Sequence, residues 1–121
     1  STLLSGSRSA FGKIEFFMTF GLSEKYFQIV QDLAINPLKL QGAHIWIFGS
    51  RARGDHRPFS DLDILFKANR PLPSGLLGKI NESLEESHLP IKVDIVEESD
   101  LAESYKENVF RDRVELTYAR P

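Results

Sequence analysis

Cysteine is absent from this 121-residue chain, so no disulfide framework and no thiolate metal site or thiol nucleophile is available. Histidine is scarce: His44, His56 and His88 are the only three, and they lack zinc-site spacing. Charge of one sign is also lacking. The 15 Lys and Arg nearly balance 17 Asp and Glu, leaving −2, so there is no global basic field for gripping long nucleic acid. No apolar run approaches the roughly 20 residues of a membrane helix. The cluster Phe16-Phe17-Met18-Thr19-Phe20 is short and follows Lys13 and Glu15, unlike a secretory signal. A cytoplasmic protein with local ligand contacts is the expectation. The hydrophobic share, 41%, suits one modest core and one domain.

What is present concentrates in residues 43–66. Ile45-Trp46-Ile47-Phe48 is a β-branched and aromatic run that predicts a buried strand. Gly49 ends it and lets the backbone come close to a ligand. Ser50 adds a hydroxyl and is placed to cap a short helical turn over residues 50–53. Backbone N–H groups at such a turn suit phosphate oxygens, and Arg51 and Arg53 add positive charge. The loop 51–60 holds Gly54, Asp55 and Pro58, all loop formers. Alone it reads as an ordinary solvated loop, and the flanking motifs turn that reading toward substrate contact; for His56 the solvated loop histidine remains the favoured reading over substrate contact.

The stretch Asp61-Leu62-Asp63-Ile64-Leu65-Phe66 alternates as a strand does. Asp61 and Asp63 share one face, with Leu62, Ile64 and Phe66 on the other. Neighbouring carboxylates repel unless a cation lies between them, and Mg²⁺ favours carboxylate oxygens together with substrate phosphates. Ile91-Lys92-Val93-Asp94-Ile95-Val96 predicts another strand, with Asp94 on the face opposite Ile91, Val93 and Ile95. Pairing beside 61–66 would let three carboxylates converge, as a two-metal phosphoryl-transfer centre requires. The whole stretch reads as a site for a nucleoside triphosphate and a divalent metal.

The remaining chain reads as support. Residues 1–17 are expected to be a flexible extension or cloning remnant, with the domain over 18–121; a natural start at Met18, the one methionine, is an expectation from the same reading. Ser23 is an N-cap for a first helix whose stripe is Leu22, Tyr26, Val30 and Leu33, stopped at Asn36-Pro37. Residues 38–43 lead into the first strand. Ser74 is expected to cap a second helix reaching about Ser87, with Leu76, Leu77, Ile80 and Leu84 inward and Glu82, Glu85 and Glu86 solvated. A third helix is expected from Ser99 or Asp100, packing Leu101, Tyr105 and Val109. Residues 114–118 alternate as a short edge strand, with continuation of the third helix as the alternative. The fold class is α+β: a small mixed sheet with helices on its apolar face and the carboxylate face open. An exposed edge strand on a one-sided sheet favours association with a second copy.

Gly49-Ser50, ten residues, then Asp61-Leu62-Asp63 resembles the signature of the DNA polymerase β-like nucleotidyltransferase superfamily. GSRARG followed by SDLDILF is similar in particular to the minimal nucleotidyltransferases, the MNT proteins. The resemblance covers roughly residues 22–118. It implies that Gly49 and Ser50 hold the triphosphate, that Asp61 and Asp63 bind Mg²⁺, and that Asp94 is the third carboxylate, a metal ligand or general base. Arg51 and Arg53 fall in the family's basic segment and would touch phosphate. It implies two Mg²⁺ ions, ATP or another NTP as substrate, and transfer of a nucleoside monophosphate to an acceptor hydroxyl. MNT proteins pair with helical HEPN proteins as antitoxin and toxin, the MNT protein adenylylating a tyrosine of its partner. Two alternatives stand beside this: a small-molecule, antibiotic-type nucleotidyltransferase, and a non-catalytic antitoxin that masks its partner sterically. Template-reading polymerase activity is disfavoured, because this chain carries no thumb or fingers.

Overall fold

The structure, a computed structural model, describes residues 19–116. The expected tail over 1–17, the start at Met18 and positions 117–118 of the expected last strand lie outside the described residues. Four strands form one mixed sheet in the order β3-β2-β1-β4. They are β1 (His44–Phe48), β2 (Leu62–Lys67), β3 (Val93–Glu97) and β4 (Val114–Glu115). β1 pairs antiparallel with both β2 and β4, whereas β3 runs parallel to β2. The crossover from β2 to β3 carries a helix, as a parallel connection demands.

Alternation sorts the sheet's two faces. Ile45 and Ile47 of β1, with Leu62, Ile64 and Phe66 of β2, are fully buried. They pack with Val30, Ala34, Ile35, Leu38, Ile80 and Leu84 from the helices to form the core. Ile91, Val93 and Ile95 pack against the same core, half-buried. This is the α+β arrangement that the apolar spacing implies, and it turns Trp46, Phe48, Asp63 and Asp94 to the other face.

Ser23 caps α1 (Glu24–Val30), its Oγ accepting from Tyr26 N at 3.2 Å. Asn36-Pro37 does not stop the helix, contrary to expectation. The chain winds through a π segment (Gln31–Ile35) and continues as α2 (Asn36–Leu40), with Pro37 in its first turn. Proline is tolerated there because its missing N–H is not needed, and the wider π turn relieves the clash with the preceding carbonyls. The true stop is Gly42, at φ +81. Gly42 N donates to Lys39 O and Ala43 N to Leu38 O, a Schellman closure with buried Leu38 and Ala43 alongside.

α4, defined as Leu76–Glu86, also departs in detail. Its N-cap is Gly75 in the left-handed region, so Ser74 is not the cap. The short α3 (Ser50–Arg53) lies between β1 and β2. The segment expected to start a helix at residue 99 or 100 is a 3-10 turn (Glu98–Asp100), and α5 (Glu103–Asp112) begins after Ala102. α5 has no buried residue, so the expected stripe does not enter the core; Tyr105 is 63% exposed. Its anchor is its last turn and the residue after it. The Arg113 guanidinium lies 4.1 Å from the Trp46 ring and 4.4 Å from the Phe110 ring, and reaches Glu98 at 3.4 Å. Among the described residues, no helix is long and apolar enough to cross a membrane.

Candidate active site

β1 and β2 bring the two motifs together. In the antiparallel register Phe48 faces Asp63, so Gly49 and Ser50 follow β1 directly at the end where β2 begins. Gly49 caps α3 at φ +79, ψ −158, a conformation open in practice to glycine alone. Ser50 is therefore the first residue of the turn, not its cap as expected. Ala52 N and Arg53 N both donate to Gly49 O at 3.1 Å. A β-carbon on Gly49 would run into Asp63 Oδ2. The glycine is thus needed twice, for its backbone angles and for the carboxylate resting against its α-carbon.

Asp63 and Asp94 are register partners on β2 and β3. Asp61 immediately precedes β2, rather than lying within it, and is solvent-exposed. Burial first, and then the charges of Asp94 and Asp61, raise the Asp63 carboxyl to about 6, with Arg53 partly offsetting them. Asp94 Oδ1 lies 3.5 Å from Lys92 Nζ. A carboxylate held half-buried beside two others is a cation-seeking arrangement. Among the described residues, no three such side chains are gathered into a ready metal cage. Mg²⁺ does not require one: it takes one or two carboxylates and completes its shell with phosphates and water. The donor set, all carboxylate oxygen, fits that ion.

The two arginines part company. Arg51 is buried, 3% exposed, and donates to Phe20 O at 2.8 Å, Ser60 O at 3.0 Å and Pro58 O at 3.0 Å. In this structure it fastens the strap at Phe20 and the loop before Asp61, instead of reaching toward phosphate as expected. Desolvation lowers its pKa from the ordinary arginine value. Arg51→Met keeps the bulk but leaves three carbonyls unpaired. A loss of about 3 kcal/mol in urea unfolding is the expected result. Arg53 points elsewhere, to Asp55 at 3.1 Å and to Asp112 at 3.8 Å, and it acts on Asp63 electrostatically. His56 is partly buried rather than fully solvated. Its ring lies against the α-carbon of Gly21, and its buried Nδ1 has no hydrogen-bond partner among the described residues.

The description "Nucleotidyltransferase domain" belongs to a family whose pattern matches residues 24–116, most of the chain and all of this site. The chain belongs to the nucleotidyltransferase domain family. A Haemophilus influenzae protein called "Probable protein adenylyltransferase MntA" is 33% identical over 63 residues, 52% of this chain and 55% of that protein. The matched segment spans about half the length of that relative. Two solved structures share the fold. One, "Crystal structure of the toxin-antitoxin with AMP-PNP", has a TM-score of 0.56 at 22% identity and covers 74% of each chain. The other, a mutant of the toxin-antitoxin "MntA-HpeT", has a TM-score of 0.55 at 23% identity over 82% of this chain and 75% of that one.

Two residues of this nucleotidyltransferase domain escape the motif reading. Asp55 and Asp112 hold Arg53, and Asp112 belongs to a helix more than fifty positions away in the chain. Only the misplaced acidic residue in a basic Arg-Asp-Arg run at a helix end hints at Asp112. Helix C-termini favour positive charge.

Proposed function

We propose that this chain is a Mg²⁺-dependent nucleotidyltransferase that moves AMP from ATP to a hydroxyl on a partner protein, the antitoxin half of a pair with a HEPN-type helical toxin. The observation that carries it is the juxtaposition of Asp63, with Asp94 in register beside it, against the Gly49 backbone. Gly49 and Ser50 would receive the triphosphate, with Arg53 as the nearby cation. Asp61, Asp63 and Asp94 would hold Mg²⁺; when bound, the metal neutralises the triphosphate and the charge developing on it. Asp94 would take the proton of the acceptor hydroxyl. The acceptor oxygen then bonds to the α-phosphorus as the α–β bridge breaks, and pyrophosphate leaves in line. The relatives' names, an adenylyltransferase and toxin–antitoxin assemblies, support the choice of acceptor class.

Intact-mass measurement tests it. The protein, ATP, Mg²⁺ and the helical protein that co-purifies or is encoded alongside are incubated, and both chains are weighed. The expected result is one or more AMP units on the partner and none with the Asp61→Asn/Asp63→Asn variant. Tight binding with no mass gain on either chain overturns transfer to protein and favours steric masking.

A further inference from the structure

We infer that Asp112, at the far end of the chain, is a positioning residue for the triphosphate site, acting through Arg53. This rests on the proposed role of Arg53 in nucleotide binding. Asp112 is the last residue of α5, where the helix dipole disfavours an acid. The helix itself therefore gives no reason for the carboxylate. Its side chain is nevertheless only 18% exposed, with Oδ2 3.8 Å from Arg53 Nη1. Arg111 Nε and Nη2 reach its two oxygens at 3.2 and 3.5 Å from the solvent side. Arg53 Nε meanwhile donates to Asp55 Oδ2 at 3.1 Å.

The Arg53 guanidinium is consequently hydrogen-bonded to Asp55 through Nε and ion-paired at 3.8 Å with Asp112 through Nη1, while its charge bears on Asp63. A guanidinium flanked by two acids in this way has fewer positions open to it, and a long side chain that is partly ordered beforehand loses less freedom when it meets phosphate. α3 is a single turn, and beyond Asp55 the second acid facing Arg53 comes from another element. The end of α5 supplies it, and Arg113, stacked on Trp46 and paired with Glu98, fixes that end against the sheet. α5 buries no residue of its own, so this terminal cluster is what ties the helix to the active site.

The test is a calorimetric titration of the full chain with ATP in the presence of Mg²⁺, which needs no acceptor. Arg53→Ala is expected to weaken ATP binding about tenfold, and Asp112→Asn, which is isosteric, about three- to fivefold. Asp112→Glu should recover most of that loss. In the Arg53→Ala background, Asp112→Asn should cost nothing further. With the partner as acceptor, the loss should sit in KM for ATP with kcat little changed. Unchanged or tighter ATP binding by Asp112→Asn, alongside a weakened Arg53→Ala, overturns the inference and leaves the proposed function standing. Equal losses from Asp112→Asn with and without Arg53 also overturn it. No ATP binding by the wild-type chain overturns the proposed function and the inference with it.

Discussion

Asp63→Asn is expected to stop nucleotidyl transfer while making the metal-free protein more stable. The two effects have one cause. In the folded chain the Asp63 carboxyl is raised from 3.8 to about 6, by burial first and then by Asp94 and Asp61. The folded state therefore holds this proton more tightly than the unfolded state. Stability from this group is fully present below about pH 4, falls as pH rises from about 4 to 6, and stays lost above. A shift of this size in full burial would cost about 3 kcal/mol. Asp63 is only half-buried, and solvent screening reduces that to about 1–2 kcal/mol. Asparagine keeps the shape and drops the charge, so its melting point near pH 7 should rise by about 5–10 °C in EDTA. Transfer should fall by about 10³-fold or more, because the phosphate charge is no longer neutralised. Saturating Mg²⁺ should raise the melting point of the wild type and leave the variant unmoved. Mg²⁺ affinity of the wild type should weaken below about pH 6, where a proton competes for Asp63. A variant no more stable than wild type in EDTA would mean that Asp63 is not under electrostatic strain.

Gly49→Ala should damage both stability and chemistry. At φ +79, ψ −158 an L-residue is strained, at a cost of order 1–3 kcal/mol. In addition the new methyl meets Asp63 Oδ2, which has to move. Together a loss of about 3 kcal/mol is expected in urea unfolding. Displacing the carboxylate by even a fraction of an ångström at a phosphoryl-transfer centre should lower kcat by about 10²-fold. Gly54 provides the control. It too has positive φ, +88, but a β-carbon there meets nothing within 4 Å. Gly54→Ala should therefore show only the backbone cost, about 1 kcal/mol, with near-normal transfer. Equal losses of activity in the two variants would show that backbone strain alone, and not contact with Asp63, makes Gly49 necessary.

Which parts were legible in the chain follows from how local each signal is. The alternation over 61–66 and 91–96 determined the apolar and acidic faces, because a strand's side chains leave it no other choice: Leu62, Ile64 and Phe66 are buried, and Asp63 stands beside Asp94. Ser23 and Gly49 carry their own local chemistry, a hydroxyl for a cap and freedom at positive φ. Arg51 and Arg53 read alike in the chain, as two cations on one short turn. Which of them faces the acids is settled only on folding, since the carbonyls of Phe20, Pro58 and Ser60 that capture Arg51 meet only then. The same holds for Pro37, whose tolerance depends on the π segment before it, and for α5, whose apolar stripe finds no core to enter. Asp112 and Arg53 lie 59 positions apart, and no periodicity in a sequence connects residues across that distance. The strands, their faces and the acidic motif follow from neighbouring residues, through short-range sterics and solubility. The pairing of charged groups follows from the packing of distant segments, because it depends on loop closure and on the backbone groups left over when the sheet forms.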